Sequence, residues 1–415
     1  GIHWACSPLK LKPKKQYKLI FNIYLKINML YIVYNSYQPN TAPTNRLLSF
    51  LRGFSELGTK VEVVFLESDS IYSKVTEHFP NIYFNYMWDR LRIKNRFIEK
   101  LASFYWGWKF SKNLKAGDKV ILLTAGRVFF NLINRKDVKL YHERTEHPDI
   151  YTIKGFDIKK YKTRIKDLDG MFVISTALKE YFSSLGLSKE KIEIVNMTVD
   201  SNRFINLRKE PSEKYIAYCG TASNNKDGVN ELIKSFAIVH KVHPEVKLYI
   251  IGKTLDPKDV SGNLKLMETL GLKDSIVFTG IVSAADMPQI LKNATILTID
   301  RPDSLQAQCG FPTKLGEYLL TENPVVVTKV GDIPLFLKDG ETPILAEERN
   351  QEDFSSKQNW ALEHPVESAK IGKAGAQVAM REFNYLTETK KFIKVIQYFL
   401  SPISWCLPTS KVHHV

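Results

Sequence analysis

The chain has 415 residues, 44% of them hydrophobic and 25% charged, so it is long enough to bury large cores and is more naturally two domains than one. Its cysteines, Cys6, Cys219, Cys309 and Cys406, lie far apart without a CxxC pair, which argues against a disulfide framework and a zinc site and favours a reducing cytoplasm. The net charge of +15 favours anionic partners without choosing among nucleic acid, acidic lipid and phosphorylated small molecules, and a lysine-rich solvated surface explains it equally well.

The first 28 residues stand apart from the rest. The apolar stretch at 17–35 is interrupted by lysine and asparagine, and no run approaches the ~18 residues that a membrane span requires. Since a clear strand begins at Met29, we expect residues 1–28 to be an upstream extension, non-native or disordered, with Met29 as the natural start. The rival interpretation is an anchor at a membrane surface. Its basic and aromatic residues would be Trp4, Lys10, Lys12, Lys14 and Lys15.

Strands and helices alternate through the first half of the chain. Leu47, Leu51 and Phe54 recur at helical spacing and predict a helix over 44–58. An aromatic and basic helical region lies around 90–113. Compact apolar runs predict strands over 29–35, 60–67, 119–125, 138–143, 170–176 and 191–197.

The same alternation restarts after the polar stretch 200–214. Helices are predicted over 228–242 and 286–293, and a final helix at 387–400 could cross back to the first half. Strands are predicted over 215–220, 246–252, 275–280, 295–300 and 324–330.

This alternation predicts an α/β chain with parallel sheets covered on both faces. Two such series imply two doubly wound, Rossmann-like domains that face each other across a cleft, because ligands bind at the carboxyl ends of the strands. We expect an N-terminal domain at 29–200, a linker at 201–214 and a C-terminal domain at 215–385. Residues 386–415 would form the final helix and a tail.

The segment CGFPTKLGEYLL, residues 309–320, combines a loop with the start of a helix. Pro312 suits the first turn, and the backbone N–H groups of Gly310 and Phe311 could bind an anion where the helix dipole favours negative charge. Glu317, one turn into the helix, could accept hydrogen bonds from two neighbouring hydroxyls, as on a ribose. A solvated helix carboxylate is the alternative, and spacing alone favours it.

Two further loops follow predicted strands of the C-terminal half. In the loop at 218–228, Gly220 permits a close backbone approach and Lys226 offers a mobile positive charge to a diphosphate. The strand at 275–280 ends at Gly280, where exposed backbone could meet a flat base. Three strand-end loops that offer phosphate, ribose and base contacts predict a nucleotide site more strongly than any one of them does.

The segment YHERTEHP, residues 141–148, contains two histidines and is therefore considered as a metal site. Its two histidines are five residues apart and Pro148 discourages a helix, so we predict no metal site. His142 and Glu143 instead fall where a strand runs out and would face the cleft, although a structural histidine is nearly as well supported. The chain also lacks GxGxxG after an early strand, GxxxxGK[ST] and GxSxG, which argues against dinucleotide dehydrogenases, P-loop NTPases and serine hydrolases.

From about Met29 to about residue 395, the chain resembles glycosyltransferases of the GT-B fold. The resemblance is to the retaining family 4, the glycosyl transferases group 1, which includes bacterial polysaccharide and lipopolysaccharide enzymes. Four segments carry it, and their order and spacing make it specific. They are YIAYCGTASNNKDGVNELIKSF, VKLYIIG, IVFTGIVSAADMP and CGFPTKLGEYLLTENPVVVTKVGDIP, the last being similar to the family's Glu-x7-Glu segment.

The resemblance implies roles for individual residues. Glu317 would hold the ribose of a nucleotide-sugar donor, Lys226 its diphosphate, and His142 would lie near the donor sugar. The other donor-side residues would be Gly220, Thr221, Gly280, Ile281, Cys309, Gly310, Phe311, Pro312 and Thr313. The acceptor-side residues would be Asn40, Thr41, Ala42, Arg46 and Glu143. The resemblance implies neither a metal nor a cofactor.

The sequence also departs from the family's pattern. Cys309 stands where the family has the first acid of the pair, so the carboxylate that grips the hydroxyls of the donor sugar is absent. The family's frequent arginine is replaced around Thr221 and Ala222, and the acceptor loop lacks its paired glycines. These departures put the identity of the sugar in doubt.

The function that the resemblance implies is transfer of a sugar from a UDP- or GDP-linked donor to a hydroxyl of a lipid-linked glycan, with retention at the anomeric carbon and without metal. We expect a cytoplasmic enzyme of cell-surface polysaccharide synthesis, of capsule or lipopolysaccharide type, in peripheral contact with the anionic inner face of the cell membrane. A nucleic-acid partner is not expected, because no matching module is present. The alternatives are a non-catalytic binding or scaffold subunit, motivated by Cys309, and a sugar-nucleotide epimerase of the same fold.

Overall fold

The computed structural model describes residues 29–39, 41–66, 74–87, 96–123, 127–150, 157–210 and 213–398. The predicted N-terminal extension with its rival anchor residues, Asn40 and the predicted tail beyond residue 398 lie outside these ranges. Within them the chain forms two sheets, one after the other along the sequence. No helix of the described part is long and apolar enough to cross a membrane.

The first sheet has seven strands in the order β3-β2-β1-β4-β5-β6-β7, and each neighbouring pair is parallel. Its central strands are almost wholly buried because helices cover both faces of the sheet. The strands are β1 (Leu30–Tyr34), β2 (Val61–Phe65), β3 (Ile82–Tyr86), β4 (Lys119–Leu122), β5 (Lys139–Arg144), β6 (Gly170–Val173) and β7 (Ile192–Ile194).

The helices of this half pack their apolar sides against the sheet. The first of them begins after Thr41, whose hydroxyl accepts a hydrogen bond from the backbone N–H of Thr44, and it buries Leu47, Leu51 and Phe54. The helices are α1 (Ala42–Glu56), α2 (Arg96–Asn113), α3 (Arg127–Leu132), α4 (Ile158–Arg164) and α5 (Thr176–Ser184).

The second sheet has six parallel strands in the order β10-β9-β8-β11-β12-β13. The strands are β8 (Tyr215–Cys219), β9 (Lys247–Ile251), β10 (Ile276–Gly280), β11 (Ile296–Ile299), β12 (Val325–Thr328) and β13 (Ile344–Ala346). The helices that follow β7 are α6 (Asn224–Asp227), α7 (Val229–Val242), α8 (Pro257–Thr269), α9 (Met287–Asn293), α10 (Leu305–Cys309), α11 (Thr313–Leu320), α12 (Ile333–Phe336), α13 (Gln351–Glu363), α14 (Pro365–Glu382) and α15 (Tyr385–Tyr398).

The predicted architecture of two doubly wound, parallel α/β domains is confirmed. The sequence analysis missed β3 and β13, which lie at one edge of each sheet. In β3 only Ile82 is buried, with Tyr83 52% exposed, and β13 has only three residues. Neither segment therefore offers the compact apolar run by which the other strands were found.

Contacts between the halves bring the carboxyl ends of the two sheets together. The hydroxyl of Ser175, which follows β6, donates a hydrogen bond to the carbonyl of Cys309 at 2.5 Å. Thr176 donates to the carboxylate of Asp332, which follows β12, through its backbone N–H at 2.6 Å. α15 packs on α1, where the ring of Phe392 lies 4.7 Å from that of Phe50. The mouth between the domains is thus lined by strand ends from both sheets.

Candidate functional site

A cavity of about 290 Å³ lies at this mouth, between α1, the linker and α11. It brings together residues from both halves of the chain that the sequence analysis singled out separately. From the predicted acceptor side it contains Ala42 and Arg46, and from the predicted donor side Thr313 and Glu317. The other charged residues in its wall are Arg52, Glu77, Asp200, Arg203 and Lys314.

Glu317 is held in this wall by two cations. Its Oε1 accepts a hydrogen bond from Nη1 of Arg203 at 2.5 Å and its Oε2 one from Nζ of Lys314 at 2.9 Å. Burial alone would raise the pKa of Glu317, but the positive charges of Lys314 and Arg203 outweigh it and hold that pKa below its ordinary value. With its side chain 12% exposed, Glu317 is an ionised carboxylate in a built site and not a solvated helix residue.

Arg203 is a site residue that the sequence analysis missed. It lies in the 3-10 helix Ser201–Phe204, inside the stretch interpreted as a linker, and its Nη2 also donates to the carbonyl of Ala284 at 3.0 Å. The tertiary position of an arginine in a polar stretch without periodicity cannot be predicted from the local sequence. Lys314 was quoted but given no role, although its spacing of three residues from Glu317 on a helix could have indicated the pair.

Arg46 and Glu143 form a buried ion pair beneath α1. Nε of Arg46 donates to Oε1 of Glu143 at 2.9 Å, and its two terminal nitrogens donate to the carbonyls of Asn196 and Val195 at 2.5 and 2.9 Å. Their side chains are 8% and 7% exposed. Glu143 was expected to face the cleft, but its buried carboxylate is covered by Arg46 and does not line the cavity. Its carboxylate orients Arg46, which lines the cavity.

The loop before α11 differs from expectation at Gly310, while the predicted role of the backbone N–H of Phe311 stays a prediction. The N–H of Gly310 donates to the carbonyl of Gln306 at 3.0 Å, because Gly310 ends α10, so this group is not directed at an anion. The ring of Phe311 is buried against Phe336 and Phe383, at centroid distances of 5.8 and 5.5 Å. These side chains anchor the loop to α12 and to the residue that follows α14.

Three further residues of the predicted donor side, Cys309, Pro312 and Thr313, adjoin this loop. Pro312 is the residue before the first turn of α11, and Thr313, its first residue, reaches the cavity. Cys309 is buried, its carbonyl is bonded to Ser175, and burial raises the pKa of its thiol. A neutral buried thiol therefore occupies the position where the resembled family has an acid.

The loop after β8 contains Gly220, Thr221 and Lys226. An added Cβ at Gly220 would lie 2.4 Å from the hydroxyl of Tyr218, so only glycine fits without displacing that ring. Thr221 is exposed beside it. The side chain of Lys226 lies outside what the structure describes, although its backbone forms part of α6. Its assignment to a diphosphate stays a prediction.

Gly280 ends the edge strand β10, and Ile281 follows it. Gly280 has a φ of +67° and Ile281 is 78% exposed, and the carbonyl of Gly280 accepts a hydrogen bond from the N–H of Gly252 at 2.9 Å. The backbone therefore turns sharply where the sequence analysis expected contact with a base. That contact stays a prediction.

His142 does not face the cleft, contrary to expectation. Side chains alternate along β5, and the ring of His142 points to the side opposite that of Glu143, where it is fully buried against Phe129 and Tyr161. Its Nδ1 is 2.9 Å from the hydroxyl of Tyr161. Burial, with the charge of Arg144 as a second cause, lowers the pKa of His142 well below its ordinary value. The alternative of a structural histidine fits this position.

The comparisons with known proteins concern the family and the fold. Residues 213–364 match the family model described as "Glycosyl transferases group 1", which confirms the resemblance to group 1, without its finer subdivision, for that part of the chain. The mannosylfructose-phosphate synthase of Agrobacterium fabrum is 22% identical over 227 residues, covering 51% of this chain and 49% of the relative. The chain spans about half the length of the curated relatives it matches.

Solved structures match over nearly the whole chain. Sucrose-phosphate synthase from Thermosynechococcus elongatus superposes with a TM-score of 0.71 at 15% identity, covering 90% of this chain and 99% of that one. HepE from Anabaena, solved in complex with UDP-glucose, gives a TM-score of 0.68 at 14% identity, covering 89% and 99%. The two Rossmann-like domains thus have the GT-B arrangement.

Proposed function

We propose that this chain, in which a glycosyl transferases group 1 segment lies within a GT-B fold, transfers a sugar from a nucleotide diphosphate donor to a hydroxyl of a glycan acceptor. One observation carries the proposal. The ionised Glu317 is held at the interdomain cavity that also contains Thr313 at the start of α11 and Arg46 from the opposite domain. The structural neighbour HepE, which was solved with UDP-glucose, supports a donor of this class.

In this proposal the ribose hydroxyls donate to Glu317. A carboxylate has about four acceptor positions, so it can bind two hydroxyls while it keeps a bond to Lys314. Arg203 then either shifts toward the diphosphate or remains as a fourth partner. Both cations keep Glu317 ionised, which is the state that accepts hydrogen bonds.

Departure of the nucleoside diphosphate is the step that needs charge stabilisation. Negative charge grows on the phosphates, and the N-terminus of α11 at Thr313 favours it through its dipole and its backbone N–H groups. Arg203 and Lys314 lie at the same end of the helix, and Lys226 remains the predicted further partner. We propose retention at the anomeric carbon by a front-face route, in which a donor phosphate oxygen assists deprotonation of the acceptor, without a metal and without a covalent intermediate.

The acceptor would enter from the side of α1, between Ala42 and Arg52. Arg46 is rigidly placed by Glu143 and two carbonyls, so it offers a fixed positive charge to an acceptor. We propose that the acceptor is a lipid-linked glycan of cell-surface polysaccharide synthesis and that the enzyme works at the cytoplasmic face of the membrane.

Contact with an acidic membrane is supported by α2. Its outer face carries an apolar stripe at helical spacing in which Ile98, Leu101, Tyr105 and Trp108 are each between 47% and 55% exposed. Lys112 follows on the same stripe. An amphipathic helix with aromatic and basic residues suits the interface of an acidic bilayer. Flotation with liposomes of acidic and of neutral lipid tests this part, and equal recovery with both would overturn it.

A nucleotide-sugar panel tests the enzymatic proposal. Purified protein is incubated with UDP- and GDP-linked sugars, and binding is followed by thermal stabilisation and turnover by release of nucleotide and by the identity of the sugar product. Release of nucleoside diphosphate with glycoside formation is expected. Binding without turnover would favour the non-catalytic subunit, an isomerised sugar would favour the epimerase, and no binding to any nucleotide would overturn all three.

A further inference from the structure

A second group of charged residues lies in the seam beside the Glu317 cavity, and Arg301 is its centre. Arg301 follows β11, and its backbone is fixed by Thr328 at the end of β12. The N–H of Arg301 donates to the hydroxyl of Thr328 at 3.0 Å, and that hydroxyl donates to the carbonyl of Arg301 at 3.2 Å. The side chain therefore starts from the carboxyl ends of two central strands, where ligands of doubly wound sheets bind.

The guanidinium of Arg301 is buried but incompletely bonded. The residue is 4% exposed, and Nη2 donates to the carbonyl of Gln306 at 3.3 Å. Nε and Nη1 have no hydrogen-bond partner among the residues that the structure describes. An arginine stays charged in proteins, and a buried charge without its full set of partners is costly. A group that accepts hydrogen bonds would complete this site.

The nearest acids already have other partners. Asp227 and Glu146 are the carboxylates whose charges act on Arg301. The carboxylate of Asp227 accepts from the hydroxyl of Tyr218 at 2.8 Å, and that of Glu146 is 3.5 Å from Nε2 of Gln306. The last contact crosses from the N-terminal to the C-terminal domain. Arg301 therefore lies where the two domains meet, and these acids leave its two nitrogens for a ligand.

A second arginine reaches the same seam from the N-terminal domain. Nη2 of Arg144 is 3.5 Å from the carbonyl of Glu146, and its Nε is buried without a partner among the described residues. Contacts through Glu146 and Gln306 thus connect Arg144 to Arg301 across the gap.

The order of residues along the mouth shows which part of a donor would reach Arg301. Glu317 lies one turn into α11, Thr313 begins that helix, and Gly310 precedes it. An added Cβ at Gly310 would lie 3.5 Å from Nη2 of Arg301 and 2.8 Å from the carbonyl of Gln306. In the proposed function the ribose lies at Glu317 and the diphosphate at Thr313, so the next group in line, the transferred sugar, lies beside Gly310 and Arg301.

We propose that Arg301 binds a carboxylate carried by the transferred sugar, so that the donor is a nucleotide-linked uronic acid. The inference rests on the proposed function and names its substrate class. A guanidinium only donates hydrogen bonds, and its bonds to an anion are stronger than those to a neutral hydroxyl. The adjacent thiol of Cys309 is neutral and buried, so it brings no competing negative charge.

Paired donors test the inference on the full chain. Dissociation constants are measured by titration calorimetry for UDP, UDP-glucose and UDP-glucuronate, and for GDP, GDP-mannose and GDP-mannuronate. With the nucleotide that binds, the uronate donor is expected to bind at least about tenfold more tightly than its neutral counterpart. Arg301→Gln is expected to abolish this preference and to leave binding of the nucleoside diphosphate unchanged.

Two further variants control for folding and charge. Arg301→Lys keeps the charge and is expected to retain part of the preference, while Arg381→Gln, an exposed arginine of α14, is expected to retain all of it. Circular dichroism confirms that each variant is folded. Equal weakening of the nucleoside diphosphate and of both donors by Arg301→Gln would assign the guanidinium to the phosphates and overturn the inference.

Preference for neutral donors in the unmodified chain would overturn the inference and leave the proposed function intact. Failure of every nucleotide to bind would overturn the proposed function first and the inference with it.

Discussion

The surroundings of Glu317 and of Arg301 both lie where the two domains meet, but they differ in how the buried charge is satisfied. At Glu317 each carboxylate oxygen has a cation at hydrogen-bond distance. At Arg301 two of three guanidinium nitrogens have no partner among the described residues. The cluster at Glu317 joins the 3-10 helix Ser201–Phe204 to α11, whereas the two open nitrogens of Arg301 would be satisfied only by a bound ligand. Substitutions should therefore change stability in opposite directions at the two places.

The largest effect is expected from Glu317→Ala. Removing the carboxylate leaves Arg203 and Lys314 without their shared partner, and breaking such a buried arrangement costs about 3 kcal/mol of unfolding free energy. Because Arg203 and Lys314 are 28% and 30% exposed, solvent keeps the cost at the low end of the usual range. Urea unfolding measures it, with Glu268→Ala on the exposed side of α8 as control. We also expect loss of nucleotide binding, and a variant that binds nucleotide as well as the original chain would remove Glu317 from the site.

The next effect is the coupling between Arg203 and Glu317. A double-mutant cycle with Arg203→Ala and Glu317→Ala is expected to give an interaction free energy of about 1–2 kcal/mol, since the two side chains are in direct contact. Arg208→Ala, an exposed arginine of the same linker, supplies the control cycle and should give no coupling. Additive effects of Arg203 and Glu317 would mean that the linker does not hold the donor-side helix.

Arg301→Met is expected to act in the opposite direction. It replaces a buried, incompletely bonded charge with an apolar side chain of similar length, which is often neutral or stabilising, here by about 1 kcal/mol. Thermal and urea unfolding without ligand measure it against Arg381→Met. A loss of stability as large as that of Glu317→Ala would show that Arg301 has structural partners. The two regions would then not differ in the sign of the stability effect.

The smallest expected effect is the pH dependence of the stability that Glu317 contributes. Acid titration tests the sign of that dependence. Because Lys314 and Arg203 hold the pKa of Glu317 below the ordinary value of 4.5, the ionised carboxylate contributes its full stability above that pH, and this contribution is lost as the pH falls through the folded-state pKa. The stability difference between the original chain and Glu317→Gln should therefore be constant above about pH 4.5 and shrink below it. A difference that grows on acidification would contradict the pairing.

Much of the fold and part of the site could be predicted from the sequence. Strand and helix periodicity is a local property, so it located the central strands of both sheets and α1, but it failed at the edge strands, where half-exposed or very short segments lose the apolar signal. Glu317 was singled out because a loop before a helix start carries a local signature, although spacing alone favoured a solvated carboxylate, and Thr313 came only from the family resemblance. Arg203 and Arg301 were not found, because each lies in a polar stretch that resembles any other loop.

His142 and Glu143 show the limit most clearly. Their position at the end of a strand was predicted, but adjacent strand residues point to opposite faces, and only the packing of α1 and α4 decides what each face meets. One side buries His142 against Phe129 and Tyr161, and the other pairs Glu143 with Arg46. Neither opens to the cleft as expected.

The sequence alone determined that this chain folds into two parallel α/β domains, because hydrophobic periodicity and turn residues act over a few neighbouring positions. It also located a helix N-terminus with an acid one turn inside. Only the tertiary structure decided that Arg203 and Lys314 both bind that acid and that Glu143 pairs with Arg46. It also decided that Arg301 is buried with two nitrogens that have no partner among the described residues. These pairings join residues separated by about a hundred positions or more in several cases, and charge interactions depend on distance in space and on burial, which no local pattern records.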